Sequence, residues 1–424
     1  MPFRVSISTT VLLILNGIRI SVWALRILQK KKKKKGAGTK NYLHMKVLVL
    51  YEYPPTPGGL ATQGDLLYKG LLEMGVDVHA AHFESEQEKE WYYRWFKPDV
   101  VVGIGYWGYT PHLILHPQKF GALAVPWLVS NGYIANYQDV LNALPLILVT
   151  SNWVKEMYVR DGISGDKIVV LPVGCDTDTF KPYSKNDPKI IAVREALGIS
   201  PDELMILTVG GDAASKGGRE VMQALAILDN KVPKWKYVCK VWPQQRTRIQ
   251  DASDGELAIS LGIDKKVIYA VNTISRNFMP YLIAACDIYA APSRLEGFGM
   301  PQVEAGACGK PVLSINAMGM LDTLVHEETA LLAGDAQKIV VNEVILGPAS
   351  GFEEGHKLVF DKPRIVDYRA DVQDIANYMQ RLMNDEELRN KLGKAGRKRV
   401  VENFDYRVVA HKFVQIINER LGIN

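Results

Sequence analysis

The residues that could do chemistry are concentrated in one stretch, Ala291-Pro-Ser-Arg-Leu-Glu296-Gly-Phe-Gly-Met-Pro-Gln-Val-Glu304-Ala-Gly-Ala-Cys-Gly-Lys-Pro311. A strand reads up to Ala291, a glycine-bearing loop follows, and Pro301 suits the first turn of a helix, where its missing N–H is not needed. Gly297 and Gly299 let the backbone come close to a ligand, and a helix N-terminus offers unpaired N–H groups to an anion. Glu296 lies in the loop and Glu304 in the early helix. Two carboxylates are poor partners for a phosphate held between them. They suit hydroxyls on either side of it, a ribose on one side and a sugar ring on the other. Taken singly, each glutamate reads as a surface residue; the ordered set reads as a site.

Those residues need a scaffold. Short continuous apolar runs read as strands at 47–50, 100–104, 126–129, 146–150 and 168–171, with helical patterns between them. Leu60–Met74 reads as a helix that Gly75 stops, and Ser151–Arg160 as one that Ser151 caps. Such alternation means βαβ units and a parallel sheet covered on both faces. Pro172 to Pro201 is richer in Pro, Gly and Asp and reads as a linker, after which strands read again at 204–209, 235–241, 267–270, 288–291 and 311–314. The expected fold is α/β: two Rossmann-like, doubly wound parallel-sheet domains whose strand C-termini face a shared cleft, where open sheets bind ligands. The expected divisions are an N-terminal extension at 1–44, a first domain at 45–182, a second at 183–403 and a last segment at 404–424. In that segment Val408, Val409, Phe413, Ile416 and Ile417 are spaced as one helical face.

A chain of 424 residues is too long for one ordinary core, and 47% apolar with 23% charged residues is ordinary globular composition that favours neither a disordered chain nor a polytopic membrane protein. The net charge of +5 is local. Residues 1–44 hold ten basic residues and no acid, so 41 basic face 46 acidic residues in the rest, a net of −5. The body therefore gives no reason to expect a nucleic-acid partner. Val5–Leu28 is apolar, but Arg19 falls near its middle, at a cost of about 2.5–3.5 kcal/mol for insertion. The six lysines Lys30–Lys35 that follow would be retained on the cytoplasmic side. The first 44 residues read as an upstream translation before a start at Met45, as a membrane-associating tail, or as a disordered extension. In each case the body is expected to be cytoplasmic, with contact at most to the inner face of a membrane. Cys175, Cys239, Cys286 and Cys308 are scattered, without a Cys-x-x-Cys pair, and read as buried thiols rather than as zinc ligands or disulfides.

In order along the chain, the segments resemble glycosyltransferase family 4, retaining enzymes of the GT-B fold. The Glu296–Glu304 stretch is similar to that family's Glu-x7-Glu signature. Thr150-Ser-Asn-Trp-Val-Lys-Glu-Met157 and residues 166–182 are similar to its run into the inter-domain linker. Pro57-Gly58-Gly59-Leu60 looks like its N-terminal glycine loop, and Val209-Gly-Gly-Asp-Ala-Ala-Ser-Lys216-Gly217 like its first C-domain loop. The resemblance runs from about Met45 to the last helix. It implies a nucleotide-diphospho-sugar as donor substrate, with neither metal nor cofactor. It also implies that Glu304 grips the donor ribose, Glu296 the transferred sugar and Lys216 the diphosphate. Backbone amides around Gly297, Phe298 and Gly299 would face the sugar and phosphates, and Gly58 and Gly59 would close over the phosphates from the other domain. Transfer is then expected on one face of the sugar, the departing phosphate helping to deprotonate the acceptor, with no carboxylate nucleophile.

Two positions depart from the family. Its usual Arg five residues before the loop Lys is Gly211 here, so another cation must serve, with Lys240, Arg246 and Arg248 as candidates. Where many members carry a His after the strand at 126–129, this chain has Asn131, which would accept a sugar hydroxyl instead. Asp176-Thr177-Asp178 matches the Asp-x-Asp metal motif in text only, because it lies in the linker. Trp91, Tyr92, Tyr93 and Trp95 read as helix packing, and His112 and His116 as structural or exposed. A sugar-nucleotide epimerase and a non-catalytic nucleotide-sugar-binding paralogue are the alternatives. The acceptor, whether carbohydrate, lipid or small molecule, is not written in any motif; 106–116 and 130–137 are the segments that would meet it. Residues 334–369 exceed what the family pattern requires and carry no functional reading.

Overall fold

The computed structural model describes residues 45–130, 132–243 and 245–423, with Ile14–Leu15 paired antiparallel to Ile18–Arg19; in the helix Gln245–Ser260, side chains are described from residue 253. The first sheet comprises β1 (Lys46–Tyr51), β2 (Asp77–His82), β3 (Val100–Tyr106), β4 (Ala124–Val129), β5 (Ile147–Val149) and β6 (Ile168–Val170). Its strands are all parallel, in the order β2-β1-β3-β4-β5-β6. The second comprises β7 (Leu204–Val209), β8 (Trp235–Val241), β9 (Val267–Val271), β10 (Ile288–Ala290), β11 (Val312–Ile315) and β12 (Ala330–Ala333). These are also parallel, in the order β9-β8-β7-β10-β11-β12.

The sequence shows why these runs are strands. Val47 to Leu50 and Met205 to Leu207 have no measurable exposure, as continuous apolar runs must when helices cover both faces of a sheet. In each sheet the winding reverses once, between β1 and β3 in the first and between β7 and β10 in the second. The crevice outside the strand C-termini at such a reversal is where open α/β sheets hold ligands.

Helix Gly59–Met74 follows β1 and ends at Gly75, whose φ of 82° is the left-handed C-cap that glycine adopts without strain. Ser151 Oγ accepts from Val154 N at 3.2 Å and so caps helix Asn152–Arg160. The last helix, Tyr406–Leu421, packs against Gly59–Met74, with Val409, Phe413 and Ile417 buried. Gly70 is the point of closest approach: a Cβ there would lie 2.7 Å from Ala410 Cβ. Tyr406 Oη donates to Glu73 Oε1 at 2.7 Å across the same contact.

Four strands go beyond the sequence reading. β2 and β12 are additional members of the two sheets. Residues 334–369, which exceed the family pattern and carried no functional reading, form a long antiparallel ribbon, β13 (Asp335–Leu346) and β14 (His356–Ala370). Among the aromatics read as packing, Tyr93 is buried, but Trp91 and Trp95 are about half exposed. On helix Glu86–Trp95 their ring centroids lie 5.0 Å apart, and Trp95 packs against His79 and Phe96, so both tryptophans pack on one side and meet solvent on the other. Among the described residues no helix is long and apolar enough to cross a membrane. The tail expectations for 1–44 lie almost wholly outside the described residues.

Candidate functional site

The two loops at the reversal of the second sheet meet each other. Lys216 follows β7, Glu296 follows β10, and Lys216 Nζ donates to Glu296 Oε2 at 2.6 Å. Gly217 sets the approach. Its φ is +77°, and a Cβ there would lie 2.2 Å from Pro292 O, so a side chain would push the loops apart. Arg294 N also donates to Ser215 O at 3.0 Å.

Glu296 does more in this state than the resemblance implies. Its Oε1 accepts from Gly299 N at 3.1 Å and from Phe298 N at 3.5 Å, so the amides expected to face a ligand are turned to this carboxylate. Burial works to raise the carboxyl's pKa, but the Lys216 ammonium and these two amides outweigh it and hold it below the usual range. The carboxylate is the anion of its own site. Gly299 has φ +86° and turns the chain into helix Met300–Ala307, with Pro301 in the first turn. Phe298 contributes only backbone, since its ring is buried edge-on against Phe404.

Glu304 lies inside that helix with 4% exposure. Its Oε1 accepts from Arg276 Nη2, and the guanidinium sits 4.6 Å from the centre of the Phe180 ring. Arg276 was not singled out from the sequence. It comes from the loop after β9, which has neither a glycine pattern nor a fixed spacing to Glu304; only its place at a strand C-terminus could have drawn attention. Lys240, the last residue but one of β8, has 3% exposure, and its Nζ is 5.6 Å from the Trp242 ring. Gly210 N donates to Lys240 O at 3.0 Å, which puts this lysine beside the Gly210–Gly211 turn where the resemblance leads one to expect an arginine. Burial lowers its pKa to about 8. Asn131 and the side chains of Arg246 and Arg248 lie outside the described residues.

The first sheet faces this site. A Cβ at Gly59 would lie 3.9 Å from Met300 Sδ, and one at Gly297 would lie 3.3 Å from Val154 Cγ2. Gly58 immediately precedes Gly59 as the N-cap of its helix. Asn152 N donates to Asp322 Oδ2 at 3.0 Å across the same junction. The Asp-x-Asp look-alike is engaged elsewhere: Asp176 pairs with Lys69 at 2.7 Å and Asp178 with Arg407, which ties the linker to two helices. A cavity of about 510 Å³, lined by Arg194, Leu204, Cys286 and Asp287 among others, opens at the N-terminal ends of β7 and β10. That is the edge of the sheet opposite to Lys216 and Glu296.

Lys216, Lys240, Arg276, Glu296 and Glu304 all fall within residues 190–346, which match the family described as glycosyl transferases group 1. A D-inositol 3-phosphate glycosyltransferase from Xylanimonas cellulosilytica is 32% identical over 200 residues, 46% of each chain. The chain spans about half the length of the curated relatives it matches. Sucrose-phosphate synthase from Thermosynechococcus elongatus superposes with a TM-score of 0.68 at 18% identity, covering 90% of this chain and 100% of that one. Anabaena HepE in complex with UDP-glucose superposes with a TM-score of 0.66 at 15% identity, covering 89% and 100%. The architecture is that of the GT-B glycosyltransferases. The group 1 match stops short of the first sheet, so the half that faces the donor loops is similar to known structures in fold alone.

Proposed function

We propose that the chain moves a sugar from a nucleotide-diphospho-sugar to a hydroxyl-bearing acceptor with retention of anomeric configuration. The observation that carries this reading is the Lys216–Glu296 pair at the reversal of the second sheet, beside a helix N-terminus and the buried Lys240. Two cations and a helix end, worth roughly half a charge, stand where a departing nucleoside diphosphate must be neutralised. In the step, the bond from the anomeric carbon to the phosphate oxygen breaks and its electron pair leaves with the nucleoside diphosphate. The acceptor oxygen bonds the anomeric carbon on the same face, and the acceptor's proton passes to the departing phosphate. Arrival of the donor moves Lys216 from Glu296 to phosphate, which frees the carboxylate for sugar hydroxyls. Glu304 holds the ribose, and Gly58 and Gly59 face the phosphates from the first sheet. The likeness in fold to a UDP-glucose complex, together with the relatives' names, supports a nucleotide-sugar as donor.

Thermal-shift measurements with UDP-, GDP- and ADP-sugars test the reading. A donor at a hundred times its Kd stabilises by about 2.7 kcal/mol, enough to raise Tm by a few degrees. Stabilisation by none of them would sink the proposal. Recovery of an isomerised donor in the absence of acceptor would replace it with epimerisation.

Lys240 supplies a pH signature. A diphosphate beside it restores its proton, so UDP binding is expected to take up a proton above pH 8 and to weaken by up to about tenfold per pH unit there. Without ligand the sign is opposite. The unfolded chain, with the usual lysine value of 10.5, binds more protons between about 8 and 10.5, so stability should rise across that window. Calorimetry in buffers of different ionisation heat counts the protons. An uptake unchanged in Lys240→Met would remove this lysine from the diphosphate site.

A further inference from the structure

The ribbon β13–β14 leaves the second sheet after β12 and spans both halves of the site. At its base, Tyr368 N donates to Arg294 O at 2.7 Å, which fixes β14 to the loop that carries Glu296. Four residues earlier on the same strand, Arg364 is 8% exposed, and its Nε donates at 2.9 Å to Asp161 Oδ1, just past helix Asn152–Arg160 of the first half. Farther out, Phe360 lies against Tyr133 with ring centroids 5.4 Å apart. At the turn of the ribbon, Ser350 O accepts from Asn136 Nδ2 at 3.1 Å.

Both sides are shaped for this contact. A Cβ at Gly132 would lie 2.9 Å from Ile365 O, and one at Gly351 would lie 2.2 Å from Tyr137 Oη. Both glycines have positive φ, at +100° and +77°. The segment beneath the ribbon is the loop after β4, and the 3₁₀ turn Trp107–Tyr109 after β3 meets the ribbon's turn. These loops lie at the C-terminal edge of the first sheet, the edge that faces the donor loops.

The chemistry of this patch is aromatic. Tyr109, Tyr106, Trp107, Tyr133 and Phe360 form a continuous chain of ring contacts, with centroid separations of 4.6, 5.8, 6.3 and 5.4 Å. Its arginines are neutralised: Arg160 and Arg364 both bind Asp161, and Arg364 also binds Asp361 at 3.0 Å. Trp107 is buried within the row, Tyr106, Tyr109, Tyr133 and Phe360 are half-buried, and the Arg364 guanidinium lies 4.8 Å from the centre of the Phe360 ring. Such half-buried aromatics beside paired charges suit the C–H face of an uncharged pyranose better than a phosphorylated one.

We propose that the β13–β14 ribbon is the outer wall of an acceptor site for an uncharged sugar ring, with Phe360 as a stacking face that continues the row from Tyr106 and Tyr133. The proposal rests on the transferase reading above, and it names the class of acceptor and the element that selects it. One strand is tied both to Arg294 in the Glu296 loop and to Asp161 of the first half, so the wall is fixed to both halves of the cleft.

Saturation-transfer NMR with UDP present tests this on methyl α-D-glucopyranoside, methyl α-D-mannopyranoside and maltose, with glucose 6-phosphate as the charged probe. At least one neutral glycoside is expected to show transfer to its ring protons, to bind about tenfold more weakly in Phe360→Ala, and to recover in Phe360→Tyr. Binding of none of the glycosides, a signal unchanged in Phe360→Ala, or preference for glucose 6-phosphate would overturn the proposal. UDP affinity, measured on the same samples, separates the two readings. If the wild type binds none of UDP, GDP and ADP, the transferase reading fails. If UDP binds equally to both proteins while the glycosides ignore Phe360, the ribbon proposal alone fails.

Discussion

Lys216→Ala is expected to lower turnover by on the order of 10²-fold or more, by analogy with the loss of one preorganised oxyanion donor. The substitution removes the cation that lies 2.6 Å from Glu296 at the junction of the two donor loops. Its effect should fall on turnover more than on folding, because the loops are also joined by Arg294 N to Ser215 O and by the close packing of Gly217 on Pro292. Glu296 would keep its bonds from Gly299 and Phe298 but lose the nearest positive charge, so its carboxyl pKa should climb from its lowered position. Initial rates with saturating donor, read beside the melting temperature, separate a lost transition-state contact from a lost fold. Turnover at the wild-type level would take Lys216 out of the mechanism.

Glu304→Ala is expected to weaken donor binding by about 2–3 kcal/mol, the worth of charge-assisted hydrogen bonds to a ribose. The pairing with Arg276 changes how that result must be read. Breaking a buried ion pair costs about 3–5 kcal/mol when the partner is left uncompensated. Here the Arg276 side chain is 42% exposed and keeps Phe180 beneath it, so water takes up much of that charge and the loss of stability should be far smaller. Glu304→Gln is the companion variant, since its amide oxygen can still accept from Arg276 while the charge is gone. Titration calorimetry with the donor, alongside melting temperatures, distinguishes the effects. Donor affinity unchanged in both variants would end the ribose assignment.

Much of the donor half was legible because its information is local. A continuous apolar run makes a buried parallel strand, and a glycine loop at its end makes room for a ligand. A helix start after the loop presents amides. Ile288 to Glu304 contains all three within seventeen residues, and Leu204 to Gly217 contains the first two. The helix limits at Gly75 and Ser151 were readable for the same reason, each being set by the conformation or side chain of one residue.

The sequence by itself determined the repeated strand–helix alternation, the two parallel sheets and the loops at their C-terminal edges. Backbone geometry imposes those periods on any window of the chain. Edge elements escaped because the same rule weakens there. β2 mixes buried with half-exposed residues and has no continuous apolar run, and β12 is four residues long. In the ribbon, Ile339, Val341 and Val344 are half-buried while the apolar Val340 and Ile345 beside them are exposed, because both of its faces meet solvent over much of their length. Only the tertiary structure decided the pairings. Glu296 is joined to Lys216 across 80 positions, Glu304 to Arg276 across 28, and Arg364 to Asp161 across 203. Such contacts follow from strand order and from where an inserted ribbon comes to rest, and no local period records either.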